Sequence, residues 1–187
     1  MKRAHAWFFP FALLVAATAG AETMNPPPAK AFSAYSGFEL RPVQLDESDA
    51  SQKGKGNAAS KVQEHFDAIV QPVVAEWNVR KPAAEGTPHL VIEPRIDTIK
   101  KVGGATRFFA GGLAGDSHVT MHLRIVAQPG GTVIAEPEFY QRAAALSGAW
   151  TMGAQDNDML RRIAQVVADY LRNNFDTASG GRTGRTE

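Results

Sequence analysis

Three groups of side chains in this chain have types and spacings that chemistry uses. Ser117 and His118 stand side by side in Gly115-Asp116-Ser117-His118, a hydroxyl and an imidazole of the kind that nucleophilic acyl transfer needs. His118 and His122 form a second group. On a helix their spacing would bring two imidazoles onto one face about 6 Å apart, but on a strand it separates them by about 13 Å, too far to share one zinc ion. Glu136 and Glu138 form the third, two carboxylates about 7 Å apart on one strand face, a separation within reach of an acid/base pair. The glycine-dense stretch Gly103-Gly104-Ala105-Thr106-Arg107-Phe108-Phe109-Ala110-Gly111-Gly112-Leu113-Ala114-Gly115 has neither the Walker spacing nor Gly-x-Gly-x-x-Gly. A strand pattern follows it, so no helix N-terminus is aimed at an anion and a phosphate cradle is not expected.

The block around Ser117 resembles the nucleophile block of the GDSL-type esterases, whose serine relies on a histidine supplied from near the C-terminus. Here no histidine follows His122, and adjacent strand residues point to opposite faces. Solvated residues on the wet face of a sheet account for the histidines and for Glu136 and Glu138. No catalytic residue, metal ligand or cofactor is therefore assigned; a hydrolase using Ser117/His118 or Glu136/Glu138 is the alternative. A different signal comes from Arg107-Phe108-Phe109 and from Trp150, large aromatics and an arginine in glycine-flanked segments. These are the residue types that dominate interfaces once desolvated, so Arg107, Phe108, Phe109 and Trp150 are the candidate binding residues.

The elements that must position these groups follow from periodicity. Val119, Met121, Leu123, Ile125 and Ala127 alternate with His118, Thr120, His122 and Arg124, a half-buried strand. Gln128-Pro129-Gly130-Gly131 is a turn, and Val133, Ala135 and Phe139 alternate beyond it, completing a hairpin. Leu90, Ile92 and Ile96 against Glu93, Arg95 and Asp97 mark a preceding strand, and Gly37 to Val43 a first short one. Val62, Phe66, Ile69, Val70, Val73, Val74 and Trp77 fall at helical spacing, with Ser60 and Gln63 at capping-box distance and Pro72 set to kink or restart the helix. Leu160, Ile163, Ala164, Val167, Tyr170 and Leu171 form a second stripe, with Asp156-Asn157-Asp158 as its expected N-cap. The order β-α-β-β-β-α predicts an α+β two-layer sandwich, its mostly antiparallel sheet covered on one face by both helices.

The ends read differently. Met1-Lys2-Arg3, an apolar run from Trp7 to Ala17 and Ala19-Gly20-Ala21 have the order of a secretory signal. The run is shorter than the roughly 20 residues that span a bilayer, so residues 1–21 are expected to be cleaved, leaving no stable membrane anchor. Residues 22–36, with Asn25-Pro26-Pro27-Pro28, read as a tether, 37–175 as one domain, and 176–187 as a disordered tail. Loss of Lys2 and Arg3 takes the 20 basic and 19 acidic side chains to 18 and 19, so the net charge falls from +1 to −1. The mature chain has no electrostatic footprint for nucleic acid. Cysteine is absent, which excludes disulfides, thiolate metal sites and a lipidated cysteine.

From Gly103 to Gly115, then strand, turn and strand with Gly131-Thr132-Val133-Ile134, then a helix with Leu160-Arg161-Arg162-Ile163-Ala164, the chain resembles the Gram-negative envelope family catalogued as domain of unknown function 4410. The resemblance covers about residues 88 to 175. It implies an envelope location and no established activity. Its members are often lipoproteins, from which this cysteine-free chain departs. The expectation is a soluble periplasmic, noncatalytic binding or accessory module, with another envelope protein as partner and an oligomeric state that the sequence leaves open.

Overall fold

The strand with the cleanest alternation becomes the centre of the sheet. In the computed structural model, which describes residues 22–46, 55–100, 117–143 and 152–186, the elements run β1 (Glu22–Asn25), a 3-10 turn (Phe32–Ala34), β2 (Phe38–Leu40), β3 (Gln44–Leu45), α1 (Lys55–Ile69), α2 (Gln71–Arg80), β4 (His89–Lys100), β5 (His118–Gln128), β6 (Thr132–Ala135), β7 (Glu138–Arg142), α3 (Met152–Asn173) and β8 (Gly181–Thr186). β5 lies between β4 and the β6/β7 pair, antiparallel to all three. β2 and β3 both run parallel to β4, at different stretches of its length. The first strand expected from Gly37 to Val43 is thus shorter, Phe38–Leu40, with a second short piece at Gln44–Leu45 beyond it, and the sheet is mixed although mostly antiparallel.

Val119, Met121, Leu123 and Ile125 are fully buried on the inner face, beside Leu90, Ile92 and Ile96 of β4 and Phe139 of β7. The β4–β5 register slips between Ile96 and Thr98, with Asp97 the extra residue. That bulge inverts the alternation, which is why Ile99 rather than Thr98 packs inward at the end of β4. All three helices cover this face through Ala58, Val62, Phe66, Val73, Val74, Trp77, Met159, Ile163 and Val167, which join the strand residues in one buried cluster. The two-layer α+β arrangement is the one the periodicity predicts, with both helical regions on one face.

Local signals fared unevenly. The helix from Lys55 stops at Ile69 and restarts at Gln71 with Pro72 in its first turn, where a missing N–H costs nothing. The two expected N-caps lie inside helices instead. α1 begins at Lys55, so Ser60 returns its hydroxyl to the carbonyl of Gly56 at 3.1 Å, and Gln63 turns outward from the helix to accept the N–H of Val43 at 2.7 Å. α3 begins at Met152, so Asp158 is a helix-surface residue held by Arg161 and Arg162. The hydrogen bond from Arg161, with the charge of Arg162, holds its carboxyl below the usual carboxylate range.

The largest departure is at the ends. The expected tether and tail pair with each other: β1 and β8 form an antiparallel ribbon, Asn25 opposite Gly181 and Met24 opposite Arg182. Composition misled because small residues serve here as backbone clearance. Gly180 and Gly184 have φ of +76° and +81°, and a Cβ on either would come within 2.5 Å of backbone or side-chain atoms. Asn174, fully buried, locks the approach to β8 with four hydrogen bonds. Its amide nitrogen donates to Tyr170 O and Gly180 O at 2.8 Å each, and its oxygen accepts from Ser179 N at 2.9 Å and Gly180 N at 2.8 Å. Phe32 and Phe175, also outside or at the limit of the expected domain, complete an aromatic cluster with Phe38, Trp77 and Tyr170.

Candidate functional site

With the helices on one face, the alternate side chains of β4, β5 and β7 are left on the other, and the register places them in rows. Lys100, His118 and Arg142 stand opposite one another at one end of the sheet; Thr98, Thr120 and Tyr140 come next; then Arg95, His122 and Glu138. Glu93 and Arg124 follow, and the last apolar row is Val91, Val126 and Val133. This open face is polar along most of β5 because period two gives the helices the apolar half of each strand.

A chain of polar side-chain contacts crosses four strands in the middle of that face. The Nδ1 of His122 meets the carboxylate of Asp97, and its Nε2 lies 3.8 Å from Glu138 Oε2. The other carboxylate oxygen of Glu138 takes a hydrogen bond from Arg185 on β8 at 2.9 Å. Asp97 reaches His122 because it is the bulged residue, with no direct partner of its own across the ladder. Arg185 also lies over the ring of Tyr140, 4.5 Å from its centroid, and Tyr140 in turn neighbours the imidazole of His118 at 5.8 Å. Arg124 sits between Glu93, at 2.9 Å, and Glu136, at 3.8 Å.

The sequence-derived candidates distribute as follows. Ser117 is fully buried at the start of β5, its carbonyl accepting the N–H of Ala143 at 2.9 Å; a nucleophile needs an accessible hydroxyl, and His118 lies against Tyr140 on the open face. Glu136 lies 3.8 Å from Arg124 and Glu138 is bonded by Arg185 at 2.9 Å, so the two carboxylates face different cations. His118 and His122 stand in different rows of the sheet, opposite Lys100 and Arg95. Among the described residues no group of three His, Cys, Asp or Glu side chains is placed to hold a metal ion. Arg107, Phe108, Phe109 and Trp150 lie outside the described residues.

Arg185 was missed on sequence because its segment reads as a tail. The run Gly181-Arg182-Thr183-Gly184-Arg185 has neither an apolar nor a polar alternation to mark it as a strand. A second surface feature, also built from the ends, is a cleft of about 220 Å³ between the β1–β8 ribbon and α3, lined by Glu22, Arg182, Asp169, Tyr170, Asn173 and Gln141 among others. Arg182 is paired with Glu22 inside it, at 2.5 Å.

The fold is thus an α+β sandwich with one open polar face, and its likeness to known proteins is one of shape at low identity. No protein-family model matches the chain, so the resemblance to domain of unknown function 4410 is not confirmed, and no curated protein matches it. Solved structures that it resembles include the PelC dodecamer from Paraburkholderia phytofirmans, at 12% identity over 77% of this chain and 94% of that one with a TM-score of 0.38. Protein XCC0632 from Xanthomonas campestris, of the family DUF330, is 12% identical over 82% of this chain and 94% of that one, with a TM-score of 0.45. The hypothetical protein CT253 from Chlamydia trachomatis is 11% identical over 74% and 99% of the two chains, with a TM-score of 0.35. At such similarity no residue correspondence follows. Among the described residues no helix is long and apolar enough to cross a membrane.

Proposed function

We propose that this is an exported envelope protein that acts by binding another envelope protein, through a surface made by Arg107, Phe108, Phe109 and Trp150 at one end of the sheet. Export through a signal cleaved after Ala21, a periplasmic location and kinship with the family of domain of unknown function 4410 belong to the same reading. The observation that carries it is the register of the strand ends. Lys100, His118 and Arg142 form a single row, so the segment from 101 to 116 and the segment from 144 to 151 both spring from the same end of the sheet. Two segments, one dense in glycine with Phe108 and Phe109 and the other with Gly148 close to Trp150, thereby start from neighbouring anchors.

Catalysis is the weaker reading because the one serine–histidine neighbour pair has its hydroxyl buried. The test replaces Phe108 and Phe109 separately by serine in the tagged mature protein and measures unfolding and co-purification of envelope proteins from the same preparations. The expected result is at least one variant within about 0.5 kcal/mol of the parent, the usual range for surface changes, that no longer recovers the partner. If every substitution either unfolds the domain or leaves recovery intact, this end of the sheet is not the binding surface.

A further inference from the structure

If the signal is cut after Ala21, as proposed above, the bond that is cut lies at the foot of the β1–β8 ribbon. Glu22 would be the first residue on the C-terminal side of that bond, and it is also the first residue of β1, opposite Thr186. The three residues after it are held as well. Glu22 is paired with Arg182 at 2.5 Å, the carbonyl of Thr23 accepts the hydroxyl of Thr183 at 2.9 Å, and Met24 stands opposite Arg182 in the ladder. Asn25 is buried and bonds both the N–H and the C=O of Glu138 at 2.9 and 2.8 Å.

A peptidase reads several residues on each side of its bond as an extended, unpaired strand, and cleavage of a segment held in the fold must wait for local opening. We infer that folding and processing compete in this protein: once β8 docks on β1 the signal can no longer be removed efficiently, so cleavage must precede closure of the ribbon. The C-terminal strand thereby acts as a lock on the maturation site at the other end of the chain. Residues 22–25 and 181–186 meet beyond a turn that the side chain of Asn174 holds. Closure therefore depends on residues that lie 160 positions further along the chain, and the order of synthesis allows cutting first.

The experiment uses the full precursor, refolded, a soluble signal peptidase, and a synthetic peptide of residues 10–30 as the unfolded substrate. The peptide is expected to be cut between Ala21 and Glu22, and the folded precursor at that same bond roughly tenfold more slowly or worse, each factor of ten reporting one decade in the population of the opened ribbon. Two variants separate the lock from general folding. Gly180→Val puts a side chain within 2.4 Å of the carbonyl of Asn25 and should bring cutting of the precursor close to the peptide rate. Thr183→Val removes the hydroxyl that donates to the carbonyl of Thr23 and accepts the N–H of Arg185, and should raise the rate by an intermediate factor while the far-ultraviolet circular dichroism stays unchanged, so the test stands even if Gly180→Val does not fold. Precursor and peptide cut within twofold of each other would overturn the lock while leaving export intact. A peptide left uncut at that bond would overturn the export reading and the lock with it.

Discussion

Asn174 is where the contrast between a mobile tail and a built one can be measured. Its replacement by alanine removes four hydrogen bonds from a residue with no exposed surface. Not all four count equally. Tyr170 O keeps the N–H of residue 174 at 3.2 Å, and Ser179 is exposed enough for water to replace the lost acceptor. The N–H and C=O of Gly180 are buried and keep neither partner. At about 1 kcal/mol per hydrogen bond for the Gly180 pair, and about 1 more for the packing lost with the amide, Asn174→Ala should cost roughly 3 kcal/mol. With a urea slope near 2 kcal/mol/M for a domain of this size, the midpoint should fall by about 1.5 M. The assay is urea unfolding of residues 22–187 followed by circular dichroism, paired with hydrogen exchange at the amides of β8. Those amides should lose protection first. Asn174→Asp keeps the acceptor for Ser179 and Gly180 but turns a carboxylate toward two carbonyls, so at neutral pH it should be no better than alanine. A loss below about 1 kcal/mol with β8 exchange unchanged would refute the reasoning, since residues 176–186 would then contribute nothing to the fold.

Two further outcomes follow from the core. Leu123→Ala, at the centre of β5 and fully buried, should cost about 2 to 5 kcal/mol in the same denaturant assay; a loss under about 1 would mean that the opposite face of β5 is the buried one. Tyr170, packed against Phe32 and Phe139, has its phenol pushed up to about 12 by burial. A raised folded-state value means that its contribution is fully present below the ordinary tyrosine range near pH 10 and is lost as pH rises from there toward 12, at most about 2 to 3 kcal/mol. The difference in stability between the parent and Tyr170→Phe should therefore shift in favour of the phenylalanine variant across that window, and parallel pH profiles would contradict it.

What the sequence revealed, it revealed through repetition. The strands β4 and β5 and both apolar helical stripes stand out because burial selects every second or every third to fourth residue, and each is long enough for the pattern to be read. Pro72 marks the break between α1 and α2 through a covalent constraint. The bulge at Asp97 left no such trace, because one extra residue merely ends an alternation that had almost run out. Helix starts were misplaced for a related reason: Ser60 and Asp158 have the chemistry of caps, yet Ser60 bonds the preceding turn and Asp158 pairs with the arginines that follow it. The ribbon was illegible altogether. Its residues, Glu-Thr-Met-Asn and Gly-Arg-Thr-Gly-Arg-Thr, carry no apolar period, and what the glycines supply is permission for two backbones to approach, which only the partner strand reveals.

The same blindness covers the devices that finish the sheet, and these bear on how a partner can bind. Edge strands expose N–H and C=O groups that invite another strand. On the β2 edge, the side chain of Asn78 accepts from the N–H of Phe38 and donates to its C=O, both at 2.8 Å, while Gln63 takes the N–H of Val43. On the opposite side Asn25 does the same for Glu138, and the N–H of Ala29 donates to Ile134 O at 2.9 Å. Side-chain amides thus stand in for a neighbouring strand on both sides, from residues 40 and 113 positions away in sequence, a distance at which no local pattern reports them. A partner that added a strand to either of these edges would first have to displace Asn78 or Asn25, breaking two hydrogen bonds to form its own. Recognition by side chains, on the open face or at the end of the sheet where Lys100, His118 and Arg142 stand in one row, leaves those edge hydrogen bonds in place.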